Sequence, residues 1–232
     1  MPKVDPAVTP RRARAVLNRL AKVQEAFEPK VRRPIVDELL MTILSQHTSD
    51  VNTARAFASL KERFRTWEQV QDADVDEVAD AIRSGGLADQ KAPRIKAILD
   101  EIEAREGRVD LARLNDLPDA EVEAYLTSLP GVGPKTAACV LCFSMGRAAF
   151  PVDTHVHRVA LRLGWVPPKT SADAAHKLLT PRIPADVRYP LHVALIDHGR
   201  TVCVARMPRC SECVLLDLCG AGPGLLAAGD AR

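Results

Sequence analysis

The feature that most narrows the fold is a helical rhythm that persists along nearly the whole chain. From Pro34 the segment IVDELLMTILSQ places Ile35, Leu39, Leu40, Ile43 and Leu44 three to four residues apart. That is the spacing of one buried helix face. Thr53–Phe64, Asp74–Ile82 and Lys91–Arg105 repeat the pattern, as do Thr136–Met145, Thr154–Leu163, Ala172–Leu179 and Tyr189–Ile196. Asp119 is placed to cap a further helix over Ala120–Leu129. Few runs alternate with period two, and Gly and Pro fall mostly between segments. Short helices on short links predict a compact all-α protein. Residues 1–10 and 221–232 read as frayed ends.

A chain of 232 residues can bury a core without disulfide staples. The longest apolar run, Ala137–Phe143, falls well short of the ~18 residues that a membrane-spanning helix needs. The basic N-terminus, with Lys3, Arg11, Arg12, Arg14 and Arg19, has no apolar stretch behind it, so no secretory leader is expected. The net charge of +2 conceals an uneven distribution. Residues 1–33 carry nine Lys/Arg against three Asp/Glu, residues 34–130 eleven against twenty, and residues 131–232 twelve against seven. Basic ends around an acidic middle suit a shared polyanion-facing surface, or simply three unlike solvated faces.

The cysteines form two groups. Cys139 and Cys142 sit in AACVLCF and read as small buried hydrophobes. Cys203, Cys210, Cys213 and Cys219 follow a C-x6-C-x2-C-x5-C pattern in one short stretch. With no export signal, clustered thiols point to metal rather than disulfides. Only Cys210 and Cys213 form the close pair typical of structural zinc. The compact spacing suits a loop wrapped round an iron–sulfur cubane better, and leaves zinc as the alternative. The first interval, VARMPR, brings Arg206 and Arg209, which could reach a phosphate backbone.

Between two helical segments lies Leu129-Pro130-Gly131-Val132-Gly133-Pro134-Lys135-Thr136. Its two glycines permit a tight turn and Pro134 suits the first turn of the next helix. Outward N–H groups at Gly131, Val132 and Gly133 could bind a phosphodiester; the plainer reading is an ordinary helix–turn–helix link. Downstream, Val152-Asp153-Thr154-His155 opens another helix that Asp153 can cap.

LPGVGPKTA followed by PVDTHVHRV resembles the helix–hairpin–helix and downstream aspartate of the endonuclease III family of DNA glycosylases. The cysteine loop, and His198-Gly199-Arg200 just before it, match that family as well. The likeness runs in unbroken order from about Val31 to Cys219. It implies a helical-bundle domain over 31–147 bearing the hairpin. It also implies an iron–sulfur domain built from 1–30 and 148–232, with a [4Fe–4S] cluster on Cys203, Cys210, Cys213 and Cys219.

The resemblance assigns Lys135 as a nucleophile that attacks the sugar of a damaged nucleotide and forms a Schiff base. The amine must be neutral to attack; a helix N-terminus favours that form and DNA phosphates oppose it. A surface lysine that pairs with phosphate is the competing reading. Asp153 would stabilise positive charge on the sugar or accept a proton. Relatives that remove adenine opposite damaged guanine usually lack such a lysine. A flipped-out base also leaves a gap to be filled. Leu87 in GGLADQK stands where the family places its wedge leucine. Aligned on Asp50, His47 rather than Gln46 stands where the family has its gap-filling glutamine, a departure that bears on the opposite-base contacts.

The expected activity is therefore a bifunctional glycosylase and abasic-site lyase acting on oxidised or fragmented pyrimidines in base excision repair. Its partner would be double-stranded DNA with damaged bases or abasic sites. A monomer in the bacterial cytoplasm, at the nucleoid, is expected. The alternatives are mainly lyase activity with weak base specificity, a non-catalytic DNA-binding iron–sulfur scaffold, and a zinc-loop transcription factor.

Overall fold

The computed structural model describes residues 8–25 and 32–230. The chain divides into two compact units, one of Val31–Arg147 and one that joins Met1–Lys30 to Ala148–Arg232. Among the described residues every regular element is helical and none is a strand.

The first unit contains α2 (Ile35–Leu44), α3 (Asp50–Arg63), α4 (Trp67–Asp72), α5 (Val75–Ile82), α6 (Ala88–Glu106), α7 (Asp119–Thr127) and α8 (Pro134–Cys139). Leu39, Leu40, Ile43, Leu60, Val70, Ile82, Ile95, Ile98 and Leu99 are fully shielded, so the faces read from the sequence are those that pack. Ser49 and Thr66 cap α3 and α4 through side-chain oxygens that accept from Asn52 N and Gln69 N, both at 3.3 Å. The 19-residue α6 is the long strut of the unit.

Two local expectations are corrected here. Pro118, not Asp119, occupies the cap of α7, and Asp119 is its first residue. Its carboxylate accepts from Arg147 at 2.8 Å instead. The segment Thr136–Met145 is not one α-helix either. After Cys139 the backbone widens into a π-turn over Val140–Ser144, closed by Met145 N donating to Val140 O at 3.1 Å. Val140, Leu141, Cys142 and Ser144 are all buried, so packing rather than local propensity sets the pitch. Burial pushes the Cys142 thiol up to about 12, as befits an inert core residue.

The second unit contains α1 (Pro10–Leu20), α9 (Thr154–Arg162), α10 (Ala172–Leu179), α11 (Ala185–Thr201) and α12 (Gly222–Asp230). Its core gathers Val16 and Leu20 of α1 with Phe150, Val159, Trp165, Leu191 and Leu195. The N-terminal helix is thus folded into the C-terminal half. Arg14 clasps Asp186 bidentately at 2.7 and 2.9 Å, and Arg19 clasps Asp217. The segment expected to fray from residue 221 forms α12. Ala221 N donates to Arg162 O at 3.0 Å, which ties the start of the helix to α9 and overrides its Gly-rich composition. Of the ten N-terminal residues expected to fray, 1–7 lie outside the described residues, whereas Val8 is buried, Thr9 caps α1 and Pro10 opens it.

Arg147 closes the first unit. Its guanidinium donates to the carbonyls of Leu117 (2.6 Å), Leu114 (3.2 Å) and Asn115 (2.8 Å), beyond its pair with Asp119. Arg147→Ala would strand these carbonyls and cost about 2 kcal/mol in chemical denaturation, whereas Asp119→Ala, which removes only the exposed partner, would cost well under half of that.

Candidate nucleic-acid interface and cysteine centre

In the first unit the hairpin joins α7 to α8. Leu129 and Val132 are buried and pin its two arms, and Val132 N donates to Leu129 O at 3.1 Å to close the turn. The Val132 amide, expected to point outward, is thus spent within the turn, and its side chain is buried. Gly131 has φ +71°, which requires glycine, and the Arg94 side chain packs where a Cβ would project, at 2.7 Å. Gly133 caps α8 in extended conformation and Pro134 opens it. Lys135, half-buried, stands in the first turn of α8.

Its electrostatic neighbour is one that the sequence pattern concealed. Glu38 of α2 is 7% exposed and accepts from Arg33 Nη1 at 3.4 Å. Burial raises its carboxyl above the usual range, while the charges of Arg33 and Lys135 pull the other way. The signal was an acid inside an apolar helix face, three residues after Ile35 and one before Leu39.

The expected gap-filling residues sit on two neighbouring reversals of the same unit. His47 is exposed with φ +56°; Leu87 is 46% exposed with φ +51° and precedes α6. Gln46 is turned inward, where its Oε1 accepts from Arg94 Nη1 at 3.0 Å. His47 and Leu87 are two of four non-glycine residues with positive φ among the described residues; Met207, on the cysteine loop, is a third. A left-handed leucine has no side-chain hydrogen bond to offset a cost of roughly 1–2 kcal/mol.

In the second unit Asp153 caps α9, its Oδ1 accepting from Val156 N at 2.7 Å. His155 and His157, expected to be ordinary helix-face histidines, have structural partners: His155 Nδ1 lies 3.1 Å from Arg158 and His157 Nε2 lies 2.7 Å from Thr170 O. α9 also supports the cysteine loop. Arg158 donates to Cys203 O and Gly199 O at 2.9 and 2.7 Å. Arg162 donates to the carbonyls of Val204 and Ala205 at 2.8 and 3.0 Å and meets Cys203 Sγ at 3.2 Å. Arg206 is exposed beside Met207, whereas Arg209 is turned back to Thr201 O at 3.1 Å and Glu212 at 3.4 Å.

Cys203, Cys210, Cys213 and Cys219 border one pocket, together with Arg162 and His198. No three His, Cys, Asp or Glu side chains among the described residues close on a single ion. Four cysteines on one pocket are the donor set that a four-iron cluster takes. Burial raises the thiols of Cys210, Cys213 and Cys219, and the Cys203 charge adds to each. A cationic centre would hold the four sulfurs as thiolates and offset their mutual repulsion. His198 Nε2 lies 3.7 Å from Cys213 Sγ, and burial lowers its basicity. These residues fit a cluster.

Residues 40–184 match the model of the HhH-GPD superfamily of base excision DNA repair proteins, and the chain belongs to that family. Within it the chain is a homologue of endonuclease III. It is 39% identical to endonuclease III of Thermotoga maritima over 185 residues, spanning 78% of this chain and 80% of the relative. A DNA glycosylase homologue of Arabidopsis thaliana is 40% identical over 189 residues, but the match spans 62% of that protein. An endonuclease III–DNA complex superposes with a TM-score of 0.80 at 31% identity, covering 95% of this chain and 99% of the other. The all-α architecture is that of this family. Among the described residues no helix is long and apolar enough to cross a membrane.

The raised Glu38 carboxyl has a sign that can be checked. The native state holds this proton more tightly than the unfolded chain, so its contribution to stability is full below the ordinary carboxylate range. That contribution is lost as pH rises through the raised value. Glu38→Gln would therefore raise Tm relative to the unaltered protein more at about pH 8 than at about pH 4.

Proposed function

We propose that this chain is a bifunctional DNA glycosylase and abasic-site lyase of base excision repair, acting on oxidised or fragmented pyrimidines. The observation that carries the reading is Lys135, half-buried in the first turn of α8 directly behind the Gly131–Gly133 hairpin, in a chain 39% identical to an endonuclease III. A trapped covalent endonuclease III–DNA intermediate is among its structural neighbours, at 31% identity and a TM-score of 0.80.

In this mechanism the Lys135 amine attacks C1′ of an extruded nucleotide. The glycosidic bond breaks and its electron pair leaves with the base. Loss of a proton from nitrogen and opening of the sugar give a Schiff base, a protonated imine that acidifies C2′. Removal of the C2′ proton then expels the 3′ phosphate by β-elimination. Asp153 supplies the carboxylate that stabilises positive charge on the sugar and takes up a proton. The hairpin amides of Gly131 and Gly133 hold a phosphodiester, while the Val132 amide stays on Leu129 O; Arg206 is a second phosphate contact and Arg209 a weaker one. His47 and Leu87 fill the space left by the extruded base.

Cys203, Cys210, Cys213 and Cys219 hold a [4Fe–4S] cluster whose contribution is to brace the loop carrying Arg206 and Arg209. Protein purified without oxygen would contain iron and sulfide in equal amounts and absorb broadly in the visible; Cys213→Ser would lose most of both. Zinc without sulfide would replace this assignment.

Borohydride reduction on an abasic duplex would yield a covalent protein–DNA adduct, absent in Lys135→Ala. Asp153→Asn, which keeps the helix cap, would retain Tm yet lose at least tenfold in base release; Asp153→Ala would also lose about 1 kcal/mol of stability. Tight DNA binding without an adduct would leave a docking scaffold instead. His47 in place of a glutamine favours one second reading, a lyase with weak base specificity. Strand cleavage at abasic sites without release of thymine glycol would establish it.

A further inference from the structure

The two left-handed residues of the first unit need something to hold them. Strained backbone persists only where its surroundings over-determine it. His47 and Leu87 are exposed, so their own side chains do not supply that restraint. The side chain behind them does. Lys91, one turn into α6, is only 2% exposed, and its Nζ donates to two backbone carbonyls. One is Leu44 O, at 2.7 Å, the last residue of α2 and three before His47. The other is Gly85 O, at 2.9 Å, two residues before Leu87.

Both carbonyls lie at helix ends, Leu44 at the C-terminus of α2 and Gly85 at the end of the 3₁₀ turn Arg83–Gly85. Such ends carry unpaired oxygens and partial negative charge, and α2 has no basic residue in its own last turn. A Cβ added to Gly85 would lie 4.0 Å from Leu44 O and 3.0 Å from Ala56 Cβ, so the two reversals are pressed together. Two converging carbonyl dipoles repel unless a donor sits between them, and Lys91 is that donor. One turn further on, Arg94 extends the arrangement. It holds the Gln46 side chain at 3.0 Å and fills the space against Gly131 of the hairpin.

We propose that Lys91, seconded by Arg94, is a positioning residue for duplex interrogation: it locks the His47 and Leu87 reversals into one rigid, two-pronged element. The consequence rests on the glycosylase reading, because the prongs matter only where a base is extruded from a duplex. Neither residue touches substrate. A single-stranded abasic site needs no gap filled, so the clamp should matter for duplex and not for single-stranded DNA.

The test is Lys91→Met in the full-length protein, with two readouts. The first is amide hydrogen exchange without DNA at Ser45, Gln46 and Gly86, whose N–H groups donate to Met41 O, Ile43 O and Arg83 O. Exchange at all three is expected to accelerate together by about tenfold or more, with α9 and α11 unchanged. The second is the ratio of abasic-site cleavage on duplex to that on single-stranded oligonucleotide, expected to fall by about tenfold. Independent loosening of one reversal, no loosening, or loosening with an unchanged ratio would each overturn the proposal. Should Lys91→Met fail to fold, Arg94→Met takes its place. It is expected to accelerate Gln46 and lower the same ratio by a few-fold, and no change in either measurement would count against the clamp. If the unaltered protein cleaves no abasic DNA, the functional reading has failed, and the exchange experiment still decides whether Lys91 couples the two reversals.

Discussion

The carbonyl oxygens left over where helices end are the groups on which this structure depends. A protein built almost wholly of short helices produces such oxygens at every junction, and a buried one without a donor is costly. Here long basic side chains from other elements meet them. Lys91 joins Leu44 and Gly85, and Arg147 gathers Leu114, Asn115 and Leu117. Arg158 and Arg162 gather Gly199, Cys203, Val204 and Ala205. The segments held by Lys91, Arg158 and Arg162 carry or adjoin candidate functional residues. The cations thus do more than neutralise charge; they make irregular backbone as well defined as the helices.

This also explains the uneven charge along the chain. The acidic middle exposes most of its carboxylates on helix surfaces, where pairs such as Arg83–Asp80 and Arg63–Glu77 are solvent-accessible and contribute little. The positions that matter are the few where charge goes inward. Glu38 and Lys91 are two such positions, and both belong to the unit that carries the hairpin. A total of +2 says nothing of either.

The helical pattern was readable because burial of one face in every 3.6 residues leaves a mark on the sequence, and Leu39, Ile43, Ile95 and Leu99 carry it. The cap at Asp153 was readable because capping is local. The cysteine loop stood out by spacing, whereas the hairpin and the lysine behind it took their roles from the family resemblance. What remained hidden depends on distant partners. Nothing in ADQKAPRIK announces that Lys91 turns inward to carbonyls six and 47 residues away. In IVDELL the apolar neighbours of Glu38 mark it as the inward acid, but not its pairing with Arg33. The π-turn after Cys139 and the helix from Gly222 are likewise set by packing against other segments, against what their composition favours.

The cap of α9 carries one further implication. Asp153 spends one oxygen on Val156 N at 2.7 Å, so the carboxylate is aimed by the winding of the helix behind it. The group therefore stands in place before any ligand arrives, with no conformational search left to make. A glutamate has the same acidity and one more methylene; it would forfeit the tether and swing. Side-chain length, as well as charge, is a tolerance to which this position is held.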